Sequence, residues 1–348
     1  MLTKNELKEI MNFFNLEFTP DSLKPLAGGD VNETYLAVDG RSRYAVKKID
    51  LHQYKKNYNV SVEEIIESAI FCEAITKQLT STEHAVSAIE GKQSCVLTID
   101  KSIIMVYPYI NGKPLENCEI SLSEVTKISK LLKKIHHWPI NYDVNFAKTK
   151  LAVYQQIGSK LLNHTLWSFL KKVTTKKYLF PKLNLVCDFL IHEKPSLSDA
   201  ALNLNGDTIC HNDLKPKNIL WETEDKFFVI DWETLGLFDK MADYIDTLLS
   251  WCTTYDTNTV TLNKQKLVTF IDNYSEIDCK NFQSSAFIVF IKWYFWLAFC
   301  IKQILSKPLN FKHYLWHVNY SINFIIFLIN DKPMDIIKTT LEAKAANA

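Results

Sequence analysis

At 348 residues with 47% hydrophobic side chains, the chain can bury one large core or two lobes, which excludes a disordered polypeptide for most of its length. Its 40 lysines and arginines balance 39 acidic residues, so no net field recruits nucleic acid or anionic lipid. Eight cysteines form no CxxC pair and sit mostly in apolar stretches, the usage of a reducing, cytoplasmic compartment. The start, Met1-Leu2-Thr3-Lys4, lacks the basic-then-apolar pattern of a secretory leader.

Taken in chain order, the first hundred residues read as mixed strand and helix. Thr34, Leu36 and Val38 alternate with their neighbours, Asp39-Gly40 follows, and then Arg43-Tyr44-Ala45-Val46. An Asp-Gly pair between β-rich runs predicts a hairpin. Ile65, Ile66, Ala69, Ile70 and Ala74 recur at helical spacing and predict a helix over residues 62–79. Two strands are expected near 94–99 and 102–107, joined by the polar turn Asp100-Lys101. Asn111-Gly112-Lys113-Pro114 is a turn and a candidate hinge. Beyond it the pattern turns helical, beginning with an amphipathic stretch over 125–136. Residues 140–205 look helical but carry no motif. Residues 286–301 are apolar around Lys292. That run is short for a membrane span, which needs about 20 apolar residues, and reads as a buried helix. The tail from 343 to 348 is small-residued and expected to fray.

The chemistry concentrates in Cys210-His211-Asn212-Asp213-Leu214-Lys215-Pro216-Lys217-Asn218 and, further on, Phe228-Val229-Ile230-Asp231. Transfer of a terminal phosphoryl group spreads negative charge over oxygens, so catalysis rests on positioning and Mg²⁺. One carboxylate must accept the proton of the attacking hydroxyl. Another must hold the metal, with a neutral oxygen nearby. Asp213 fits the first role, Asp231 and Asn218 the second. His211, Asp213 and Asn218 match an HxDxxxxN catalytic loop, and Asp231 ends an apolar strand where a metal-binding aspartate is expected. His211 reads as a structural histidine holding that loop.

Upstream, Tyr44-Ala45-Val46-Lys47 matches the lysine-bearing strand of nucleotide kinases, with Lys47 aimed at the α- and β-phosphates of ATP. Lys48 alternates to the other face and is expected to be solvated. Glu73 is the expected brace for Lys47, with Glu67 as the alternative. The Gly28-Gly29 turn before the second strand permits close backbone approach to phosphates, or is an ordinary turn. Adenine is expected at Tyr107-Pro108-Tyr109-Ile110, where the Pro108 carbonyl accepts and the Ile110 N–H donates.

These residues resemble the aminoglycoside phosphotransferase and choline kinase superfamily. Gly28-Gly29-x-x-Asn32-x-Thr34-Tyr35 is similar to the nucleotide loop of choline-kinase-like enzymes, and Leu131-Leu132-x-x-Ile135-His136 to their helix ending in a leucine–histidine pair. Cys210-His211-Asn212-Asp213 resembles their catalytic loop. Ile230-Asp231-Trp232-Glu233, followed by Asp239 and Asp243, looks like the metal motif of small-molecule kinases. Asp30-Val31 departs from the small or hydroxylated residues usual in the loop. The resemblance covers roughly residues 20–255. It implies an α+β, two-lobed protein-kinase-like fold: a small β-rich nucleotide lobe with one helix over 1–110, and a larger, mainly helical catalytic and acceptor lobe over 111–342. It also implies MgATP as donor, a small alcohol as acceptor, Asn32 in the nucleotide site, and Asp243 supporting the catalytic loop.

Glu233, Trp251, Tyr255, Trp293 and Trp296 make the expected acceptor-binding set, since aromatic faces suit the ammonium of a choline- or ethanolamine-like amino alcohol. An aminoglycoside would instead want gathered carboxylates, for which Asp239, Asp246, Asp256, Asp272, Glu276 and Asp278 are available. A third reading, a catalytically dead kinase fold used for binding, would require loss of the lysine, the base or the metal aspartate. No APE segment follows Asp-Trp-Glu, which argues against a protein kinase.

Overall fold

The computed structural model describes residues 2–19, 23–26, 32–58, 60–80, 84–139, 182–202, 206–256, 259–275, 278–306 and 311–346. Among them the chain forms two compact units that are not continuous in sequence. The first gathers Met1–Leu115 with Lys217–Gly236; the second gathers Glu116–Ile140, the described part of Lys150–Pro216, and Leu237–Ala348.

The first unit is built on an antiparallel sheet of β1 (Lys24–Pro25), β2 (Glu33–Asp39), β3 (Ser42–Asp50), β4 (Leu97–Ile99) and β5 (Ser102–Pro108), in the order β1-β2-β3-β5-β4. The expected hairpin forms with Asp39 paired to Ser42, and Gly40 supplies the positive φ of 56° that the tight turn demands. Three helices accompany the sheet rather than one: α1 (Lys4–Phe14), α2 (Leu51–Tyr58) and α3 (Val62–Thr80). Thr3 and Glu6 start α1 with a reciprocal capping box. Ile10 and Phe14 of α1 then pack with Tyr35, Ala37, Val46, Ile104 and Val106. The α3 side buries Ile65 with Ile49, Ile103 and Met105. Lys48 is not simply solvated: its ammonium meets Glu6 Oε1 at 2.6 Å and ties the sheet to α1.

The second unit is mainly helical: α4 (Leu122–His136), α5 (Leu183–His192), α6 (Lys194–Leu202), α7 (Lys240–Cys252), α8 (Lys264–Tyr274), α9 (Phe282–Ser306), α10 (Phe311–Asn330) and α11 (Pro333–Ala345). Ser121 and Glu124 cap α4 reciprocally, and Ser129 Oγ on that helix donates to the Phe270 carbonyl at 2.6 Å. By length and composition α9 could cross a membrane over Phe282–Ile304, with a mean hydropathy of 1.7, and 61% of that window is buried inside the protein. It packs against α10, α6 and α7. The last helix runs on to Ala345, into the small-residue tail.

Candidate active site

In the first unit, period-two alternation along β3 buries Val46 completely and turns Lys47 to the other face of the sheet. The Lys47 ammonium lies 2.6 Å from Asp231 Oδ1 and 2.9 Å from Glu233 Oε2, and its side chain is 13% exposed. Burial alone would lower its pKa, but the two carboxylates outweigh that and hold it well above the ordinary lysine value.

Asp231 is delivered by a short antiparallel hairpin, β7 (Ile219–Trp221) on β8 (Phe227–Val229), in which Ile219 faces Val229. The pairing continues one residue further, where the Ile230 N–H donates to the Asn218 carbonyl at 3.0 Å. Asn218, buried, thus sits beside the residue that precedes Asp231. At Asp231 the backbone turns left-handed, with φ of 65°, and the Trp232 indole N–H locks the turn by donating to the Val229 carbonyl at 3.0 Å. Asn32 Nδ2 reaches both Glu233 oxygens at 2.9 and 3.2 Å. Glu233 therefore belongs to the Lys47 cluster. Gly28 and Gly29 lie outside the described residues.

The expected Lys47–Glu73 brace is not the contact that forms. Glu73 is buried, but its carboxylate accepts from the Ala88 N–H at 2.7 Å and from the Tyr107 hydroxyl at 2.7 Å. Burial raises its pKa, with those two hydrogen bonds opposing. Two closer carboxylates satisfy Lys47, and Glu73 instead ties α3 to the strand that leads to Pro108 and Ile110. Glu67 lies on α3, one of its less buried positions. In the expected adenine segment, the Tyr109 N–H donates to the Arg43 carbonyl at 3.0 Å and the Arg43 guanidinium stacks 4.8 Å from the Tyr109 ring. Pro108 is exposed and Ile110 half-buried.

In the second unit, the segment expected to be the catalytic loop follows β6 (Thr208–Cys210). His211 is fully buried, and its Nδ1 accepts from the Asp213 N–H at 3.3 Å. Asn212 adopts a left-handed φ of 65°, and its N–H donates to Asp243 Oδ1 at 3.0 Å. Asp243 Oδ2 meets His136 Nε2 at 3.0 Å, and His136 Nδ1 meets the Tyr274 hydroxyl at 2.7 Å. Burial lowers the His136 pKa, while for Asp243 the histidine outweighs burial and keeps the carboxyl below its ordinary value. The pair is thus a neutral imidazole donating to a carboxylate. The Asp213 carboxylate is 21% exposed and pairs with Lys215 Nζ at 2.6 Å. Burial would lower the Lys215 pKa, but Asp213 and Asp246 together raise it.

The expected acceptor aromatics separate. Trp251 is fully buried, and its indole N–H donates to the Leu214 carbonyl at 2.8 Å, so it supports the loop from within the core. Trp293 stacks on Phe324 at 3.9 Å and meets Tyr320 edge-on at 5.6 Å. Tyr255 meets Tyr320 at 4.7 Å, and Trp316, 54% exposed, stacks on Tyr320 at 5.3 Å. The Lys215 ammonium stands 5.6 Å over the Trp293 ring. Trp296 joins Phe299 and His317 instead. Tyr320 and Trp316 were not singled out from sequence; their spacing of four along α10 is the signal that could have found them. Among the described residues, four of the carboxylates expected for an aminoglycoside are engaged locally. Asp239 caps α7 and accepts from Ser285, Asp246 pairs with Lys292, Asp272 with Lys344 and Asp278 with Lys280, while Glu276 lies outside the described residues.

The sequence model of the APH phosphotransferase enzyme family matches residues 22–265. Among solved structures, the spectinomycin phosphotransferase APH(9)-Ia bound to ADP and spectinomycin is similar over 93% of this chain and 98% of its own, with 15% identity and a TM-score of 0.59. The choline kinase of Cryptosporidium parvum Iowa II is similar over 95% of this chain and 98% of its own, with 14% identity and a TM-score of 0.51. Choline kinase LicA of Streptococcus pneumoniae is similar over 90% of this chain and 98% of its own, with 16% identity and a TM-score of 0.53. At such identities the likeness is one of fold, a small antiparallel sheet joined to a larger helical part. No curated protein sequence matches the chain directly.

Proposed function

This chain belongs to the phosphotransferase enzyme family, and from that premise we propose that it moves the γ-phosphoryl group of ATP to the hydroxyl of a choline- or ethanolamine-like amino alcohol. It is a small-molecule phosphotransferase. The observation that carries the donor side is the pair of Lys47 with Asp231, a cation held at 2.6 Å by a carboxylate on the far side of the sequence.

In this reading the first unit holds the nucleotide. Lys47 is the phosphate clamp, the segment at Pro108 and Ile110 meets adenine, and Asn32, bonded to Glu233, stands beside that clamp. Asp231, which already attracts the Lys47 cation, and Asn218, whose backbone carbonyl bonds the residue before Asp231, offer hard oxygen ligands, so the residues fit Mg²⁺. A bound Mg²⁺ would neutralise charge on the phosphate oxygens. None of the eight cysteines is in a disulfide, in keeping with a reducing cytoplasm.

The second unit supplies the acceptor chemistry. Asp213 takes the hydroxyl proton as the alcohol oxygen bonds to the γ-phosphorus; the bond to the β–γ bridging oxygen breaks and ADP leaves. The Trp293 face, which already draws the Lys215 ammonium, is the surface for a cationic head group. That favours an amino alcohol over an aminoglycoside, since four of the protein carboxylates an aminoglycoside would want, Asp239, Asp246, Asp272 and Asp278, are engaged locally. Lys47, Asp213 and Asp231 are all present, which argues against a purely binding role.

One screen tests the reading. ATP consumption is followed with choline, ethanolamine, thiamine, homoserine, methylthioribose and aminoglycosides. Turnover with choline or ethanolamine is expected to exceed the rest; turnover with aminoglycosides alone, or phosphorylation of protein alone, would replace the acceptor assignment.

A further inference from the structure

A charge buried in an apolar helix needs a reason. Lys292 is the only charged residue between positions 286 and 301, and its side chain is 10% exposed. It pairs with Asp246 Oδ2 at 2.6 Å. Replacing such a buried pair with apolar groups is often neutral or stabilising, so the pair is weak ground for stability alone. The same ammonium has a second contact: it donates to the Asn212 carbonyl at 2.9 Å.

That carbonyl belongs to the peptide plane joining Asn212 to Asp213. The plane is held at both ends. Its oxygen accepts from Lys292, and its N–H donates to His211 Nδ1 at 3.3 Å. Asn212 itself is left-handed, at φ 65°. A non-glycine residue there costs about 1–2 kcal/mol and persists only where neighbours over-determine it. Asp243 on the preceding N–H and Lys292 on the following carbonyl do so. One residue past Asp213, Trp251 anchors the Leu214 carbonyl at 2.8 Å.

We infer that Lys292 is a positioning residue of the catalytic loop: through the Asn212 carbonyl it fixes the plane from which the Asp213 carboxylate projects. Asp246 pairs with the same ammonium at 2.6 Å, but the hydrogen bond that reaches the loop peptide is the one from Lys292. The inference rests on the reading of Asp213 as the base, and its test separates the two.

Three variants decide it: Asp246→Asn, Lys292→Met, and the double change Lys292→Met with Asp246→Leu, which exchanges the ion pair for apolar groups. Each is followed by hydrogen–deuterium exchange of the peptide over residues 209–216, by thermal melting, and by MgATP turnover with the best acceptor of the screen or with water. The double variant is expected to melt near the parent yet lose protection over 209–216, with kcat down about 100-fold and the KM for ATP unchanged. Asp246→Asn, which leaves the carbonyl contact in place, is expected to keep loop protection and most of the turnover. Parent-like protection and kcat in the double variant would overturn the inference. So would equal loss of protection in Asp246→Asn and Lys292→Met, because the ion pair would then hold the loop. If Asp213→Ala turns over normally while the double variant still loses protection, the base assignment fails and the positioning role stands.

Discussion

Lys47 Nζ lies 2.6 Å from Asp231 Oδ1 across 184 residues of sequence, with Glu233 at 2.9 Å on the same ammonium. Lys47→Met removes the cation and leaves two carboxylates facing each other. We expect kcat/KM for ATP to fall on the order of 10²-fold. Because Asp231 is 33% exposed, water screens the orphaned charges, and the stability cost should be only about 1 kcal/mol. Nucleotide titration and urea unfolding check the two numbers separately; unchanged ATP affinity would remove Lys47 from the phosphate site.

Some of this was legible because the signals are local. Asp39-Gly40 sets a hairpin within four residues, and the helical recurrence of Ile65, Ile66, Ala69, Ile70 and Ala74 sets α3. The HxDxxxxN spacing and the strand ending at Asp231 are similarly compact. The Lys47 partner was not legible, since Glu73 and Glu233 are equally acidic and only the fold brings one of them within 3 Å. Lys292 looked like a stray charge in an apolar run, because Asp246 and Asn212 stand 46 and 80 residues away. Trp251 and Trp293 are both buried, so only packing shows that the first bonds the Leu214 carbonyl and the second stacks on Phe324. The Thr3–Glu6 capping box was readable in the first six residues and would have revealed α1.

Asp213→Ala should cut kcat by about 10²–10⁴-fold, the usual contribution of a general base, and leave nucleotide affinity nearly unchanged. Lys215, which loses its 2.6 Å partner, remains close to Asp246 in charge balance, so the loop should still fold. Rapid-quench transfer and nucleotide binding measured on one preparation test this; normal turnover removes the base.

The His136–Asp243 pair makes stability depend on pH. Burial holds the His136 pKa below its ordinary 6.5 in the folded protein, so below that pH the unfolded chain takes up a proton the folded one refuses. Its contribution is complete above pH 6.5 and is lost as pH falls, with a slope of up to about 1.4 kcal/mol per pH unit. Asp243, also depressed, adds a further loss only below 3.8. Melting midpoints of the parent and His136→Gln between pH 5 and 8 should therefore converge as the solution is acidified. A constant gap across that range would show that His136 does not titrate out of step with the unfolded chain.

A change at Trp293 tests whether acceptor binding can be separated from nucleotide binding. Its ring is 8% exposed, stacks on Phe324 at 3.9 Å and carries the Lys215 ammonium at 5.6 Å. Trp293→Leu keeps an apolar side chain against Phe324 but removes the π face, and a cation–π contact of about 1–2 kcal/mol corresponds to roughly a tenfold rise in the KM of a cationic acceptor. The KM for ATP should not move if Lys47, Asp231 and Glu233 alone hold the nucleotide. The lost ring–ring contact should cost about 1 kcal/mol in unfolding free energy beyond the area lost, which thermal melting can follow independently. Steady-state titrations of choline and of a neutral alcohol at saturating ATP make the comparison: a rise confined to choline supports the aromatic face, while equal rises for both acceptors would mean that Trp293 acts only by filling space.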